Sequence, residues 1–190
     1  MPTSEPTKIE ICVDAWIIQD GNYPDFHVGE TLRCALEFYG EFRMAAQSTP
    51  SLVHVKDSTY QVCAQVIFCS SGAWAIDFGL PAVQDHPPPA LASGGAWIEG
   101  EINLGIDPFF YKETLIRECG MPDLFVMSTI ASITRDDTPW IKSADGKFFA
   151  RDPDQPRWTA VQQTDAWNDD DGRSSYLPGL WTSRCLSRES

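Results

Sequence analysis

Positive charge is what this sequence has least of: 14 Lys and Arg stand against 27 Asp and Glu in 190 residues, for a formal charge of -13. So few cations cannot displace the counterions of a phosphate backbone or hold an anionic bilayer, which excludes nucleic acid and membrane surfaces as partners and favours basic ones. Long apolar runs are missing too. The longest, such as Val66–Phe68 and Leu124–Met127, fall far short of the ~20 residues needed to cross a bilayer. The opening Met-Pro-Thr-Ser-Glu-Pro-Thr-Lys lacks the basic start and apolar stretch of a secretory signal, so the expected location is the cytoplasm.

Reactive motifs are equally scarce. Histidine occurs only at 27, 54 and 86, and no two histidines stand at a strand or helix spacing that would converge on an ion, so no metal is expected. The six cysteines contain no Cys-x-x-Cys pair; in a reducing compartment they are expected as free thiols, with Cys34 and Cys63 acting as small buried hydrophobes. There is no Gly-x-Ser-x-Gly and no glycine-rich phosphate loop, so no catalytic residue and no cofactor is assigned. Asn168–Gly172 resembles the centre of a calcium loop, but placing Gly172 at the sixth position puts Trp167 first and Pro178 twelfth, where carboxylates are required. The run reads instead as a turn of Asx residues.

What the sequence has in abundance is apolar material in strand-like alternation. It is 43% hydrophobic and holds seven Trp, enough to build a core and to exclude a wholly disordered chain. Lys8–Ile18, Thr31–Tyr39, Ser58–Cys69, Ala73–Phe78, Ala96–Leu104 and Leu124–Thr134 each carry the two-residue period or the β-branched density of strands. Pro81 and the Pro87–Pro89 tract make Leu80–Ala92 a loop, and Phe110–Cys119 is the single helical stretch, stopped by Gly120 and Pro122. The expected fold is mainly β: an antiparallel sandwich or partly open barrel of about eight strands with one short helix. An acidic β domain over 1–150 is followed over 151–190 by a linker and a C-terminal hairpin on the same domain, its turn at 168–172 and its end fraying from 183.

Candidate site residues come from charge and aromatics. Glu99 and Glu101 share a strand face beside Trp97, Asp107 follows, and Trp158 and Trp167 lie in later strand-like segments with polar neighbours. Interfaces concentrate Trp at their energetic centres, so this set is read as a binding surface for a basic protein, steered by charge and held by rings. Small, acidic and cofactor-free, the chain resembles toxin-neutralising immunity proteins in composition and in no motif; that likeness implies a non-enzymatic inhibitor. The alternative is a small-molecule barrel or hydrolase-like enzyme using Glu99, Glu101, Asp77 or His86 as polar groups. A deep cavity with convergent carboxylates favours the second, a filled core with an open acidic face the first.

Overall fold

The computed structural model describes residues 7–143 and 145–182. The fold is mainly β, as the alternation predicts. Its thirteen strands are β1 Thr7–Glu10, β2 Val13–Asp14, β3 Thr31–Met44, β4 Ser51–Lys56, β5 Thr59–Cys69, β6 Trp74–Asp77, β7 Pro81–Gln84, β8 Trp97–Ile106, β9 Phe125–Asp136, β10 Trp140–Lys142, β11 Phe149–Arg151, β12 Trp158–Val161 and β13 Ser175–Thr182. Among the described residues two short helices interrupt them, α1 Ala15–Gln19 and α2 Phe110–Glu113.

Five strands close into a barrel. β3 pairs antiparallel with β8, β8 with β5, β5 with β6 and β6 with β7, and β7 returns to β3 through a parallel contact at Leu36 and Glu37. β4 extends the barrel from β5 as an edge. The longest strand, β3, also serves a second curved sheet: its first residues, Thr31–Ala35, pair with β9, which pairs in turn with β13, and β13 with β1 and β2. The even-numbered residues Leu32, Cys34, Leu36 and Phe38 point into one large core with Tyr60, Val62, Trp74 and Ile98, all buried. A smaller cluster on the outer side of β3, β6 and β7 is capped by Tyr111 of α2 and by Leu115 in the 3-10 turn that follows.

Several elements depart from the sequence expectation, each for a local reason. The first strand does not run to Ile18; the chain leaves extended structure after Asp14, and α1 buries the adjacent pair Ile17 and Ile18, which a strand would point to opposite faces. Pro81 begins β7 rather than a loop, at the first position of a strand, where a missing N–H is tolerated. The expected C-terminal hairpin is absent: β12 and β13 do not pair with each other, and each pairs with β9. The run 168–172 is therefore not a hairpin turn. It forms a 3-10 turn in which Asp170 and Asp171 adopt left-handed backbone, φ 49° and 54°. Arginines hold it there. Arg135 of β9 binds Asp169 and Asp137, and Arg151 of β11 binds Asp170 at 2.9 Å while stacking 4.1 Å above Trp140. The expected fraying from 183 lies outside the described residues.

Tryptophan supplies less of the core than its abundance suggests. Only Trp74 is buried, at 1% exposure, edge-on to Phe38 and Phe42 and donating from Nε1 to Gln84. Trp16, Trp140, Trp158, Trp167 and Trp181 are all exposed.

Candidate functional site

Along β8 the alternation places Ile98 and Ile102 in the core and Glu99 and Glu101 outside. Along β3 the same period sends Glu37, Tyr39, Glu41 and Arg43 outward. The antiparallel register then sets Glu41 directly opposite Glu101, and Arg43 opposite Glu99, while on the other side of β8 Gln61 faces Glu101 and Cys63 faces Glu99. The result is an open trough of about 570 Å3 floored by three neighbouring strands and lined by Glu41, Glu99, Glu101, Arg43 and Gln61. Arg43 Nε meets Glu99 Oε1 at 2.8 Å, and Gln61 donates to Glu101 at 3.0 Å. Glu41 has no such partner among the described residues.

Two glycines bring the strands together there. A side chain on Gly40 would drive its Cβ into the Glu101 carbonyl oxygen, and one on Gly100 into that of Glu41. Glu41 and Glu101 are thus neighbours by backbone construction, and like charges directly opposite in an antiparallel pair oppose folding by a few tenths of a kcal/mol, up to about 1. A sheet that keeps such a pair on an open face has a surface whose electrostatic strain a bound cation would relieve.

A second group of carboxylates lies further back along β3. The Glu37 carboxyl is pushed up to about 7 by burial, with Asp107, Asp85 and Asp14 adding to the rise and the Tyr39 hydroxyl, which donates to it at 3.2 Å, working against it. Asp107 is 4% exposed and pushed up to about 6 by burial first, offset by the Tyr111 N–H, which donates to both its oxygens at 3.2 Å. Asp107 therefore anchors the start of α2. Two thiols are inert in the same physical sense: burial, first among the causes, raises Cys12 and Cys34 to about 12, so neither is a thiolate near neutrality.

Of the residues chosen from sequence, the structure unites Glu99 and Glu101 in the trough. Trp97 is half-buried at the start of β8, Asp107 is buried just past its end, Trp158 lies on β12, and Trp167 is 66% exposed in the loop after it. Asp77 accepts from the Gly79 N–H at 2.7 Å in the β6–β7 turn, and His86 sits beside Asp85 at 3.0 Å; neither lines the trough. Glu41 and Arg43 escaped notice in the sequence. Their signal was present, since the alternation of Thr31–Tyr39 continues to Met44 past Gly40, a residue that reads as a break but marks a close approach.

Among the described residues no group of three or more His, Cys, Asp or Glu is placed to hold a metal ion, the five described cysteines are free, and no helix is long and apolar enough to cross a membrane. Compared with family models, curated proteins and solved structures, the chain matches none of them.

Proposed function

We propose that the chain is a non-enzymatic cytoplasmic binding protein that receives a basic segment of another protein in the trough of β3, β8 and β5. The observation that carries this reading is the Glu41–Glu101 pair, set face to face on an open surface with Glu99 beside it and Arg43 as the one cation lining the trough. A Lys or Arg side chain laid between them gains two charge-assisted hydrogen bonds and removes the repulsion. The chain's overall charge of -13 steers such a partner from a distance. An inhibitor that covers the basic surface of a toxin-like protein is the form of binder this fits.

An acid–base pair for hydrolysis needs its two carboxyl groups flanking one scissile bond, with one of them held protonated by its surroundings. Glu99 and Glu101 instead lie on an open face, one tied to Arg43 and the other to Gln61, which favours binding over hydrolysis. The test is kinetic. The captured basic partner should associate about tenfold more slowly as salt rises from ~0.05 to ~0.5 M, and replacing Glu41, Glu99 and Glu101 together by Gln should flatten that dependence. An on-rate indifferent both to salt and to the triple replacement sinks the proposal.

A further inference from the structure

The far end of β3 carries a different recess. Where β3 begins, the 22–26 loop, the Pro108–Phe109 step and Phe125 of β9 enclose about 270 Å3. Phe26 and Leu32 from the main core form part of its wall, and Phe109, Phe125 and Ile130 complete the apolar lining. Tyr23 steadies the arrangement by donating its hydroxyl to the main-chain oxygen of Asp107 at 2.9 Å, which ties the loop to the end of β8.

Two cations line this recess, Arg33 and Lys112, with Glu30 as its one acid. Among the described residues neither cation forms an ion pair, although the chain has nearly two acids for every base. The Arg33 guanidinium is parked over the Phe125 ring, 3.5 Å from its centroid. Stacking of this kind fixes the plane of the fork and leaves its edge N–H groups free to donate.

The geometry points to a binding site for a small aromatic monocarboxylate, its ring among Phe109, Phe125 and Leu32 and its carboxylate on Arg33 and Lys112. Each part of that description answers to a feature of the recess. The apolar walls disfavour a bare phosphate or sulfate, which would leave them empty. The two unpaired cations favour an anion over a neutral ring. Glu30 repels a second negative charge and so selects a monoanion. A volume of about 270 Å3 lies just under the range of drug-sized sites, which suits one or two fused rings. The site is separate from the trough: Arg33 and Phe42 are nine residues apart on β3, or roughly 30 Å of extended chain.

The experiment is an NMR and calorimetric titration of the full chain with 1-naphthoate, with octanoate as the non-aromatic acid and 1-naphthalenemethanol as the uncharged ring. Saturable one-to-one binding of naphthoate is expected, with amide shifts centred on the 22–26 loop, Glu30–Arg33, Phe109–Lys112, Phe125 and Ile130. Octanoate and the alcohol should each bind about tenfold more weakly. R33Q should lose about tenfold in naphthoate affinity and K112Q severalfold, and since Lys112 is exposed on α2, K112Q keeps the test valid if R33Q perturbs Phe125. No saturation by naphthoate, equal affinity for the alcohol, affinity unchanged in both variants, or shifts centred elsewhere would each overturn the assignment. None of these outcomes bears on the acidic trough, which is tested by salt and by its own glutamates.

Discussion

The two ends of β3 are made from one alternating pattern and do opposite things. At Glu41–Arg43 the outward residues meet acids on β8, and the strands approach so closely that two glycines are required. At Thr31–Arg33 the outward residues meet aromatic rings from a loop and from β9, and the charge left over is positive. Period alone decides which side chains leave the core. Register and the neighbouring strands decide what they leave it for.

Trp74→Ala removes the one buried indole, which supports Phe38 and Phe42 beneath the acidic end; a loss of about 4 kcal/mol in a denaturant melt is expected, with the naphthoate site the less affected of the two in the fraction that stays folded. Gly100→Val should cost about 3 kcal/mol by forcing β3 and β8 apart, and a change under about 0.5 kcal/mol would show that the approach is not tight. Glu37→Gln tests the stretch between the two ends. Its carboxyl lies near 4.5 when free and about 7 in the fold, so the native state holds the proton longer, and wild-type stability falls as pH rises from about 4.5 to 7. Below that window the variant and wild type should match; above pH 7 the variant should gain on the order of 2 kcal/mol, reduced from the full shift because the side chain is partly exposed. The smallest effect is expected of Glu41→Gln, a gain of up to about 0.5 kcal/mol with slower association to a basic partner, so that stability and binding move in opposite directions.

The β character and much of the strand layout could be read from residues such as Tyr60, Val62, Ala64 and Val66, whose alternation carries all four into the main core, whereas Phe68 leaves that face at the bulge after Val66 and packs in the outer cluster. Short elements escaped for physical reasons. β10 and β11 are three residues each and largely exposed, so no apolar face marks them. β7 starts on a proline, and α1 occupies only five residues. The 168–172 turn was legible as a turn, but its role was not, because the arginines that hold it come from β9 and β11. Half of the trough was visible as Glu99 and Glu101; Glu41 joined them only through a pairing between residues sixty positions apart, which no local pattern encodes. The tryptophans misled as core material, since only Trp74 is inside and five of the others are exposed.

Because Thr31–Met44 serves as a stave of both curved sheets, cutting it would cost both sheets a pairing partner at once. Amide hydrogens in the middle of that strand should be among the last to exchange with solvent, opening only when the whole chain does. A protease that nicked it there would disrupt the trough and the recess at once.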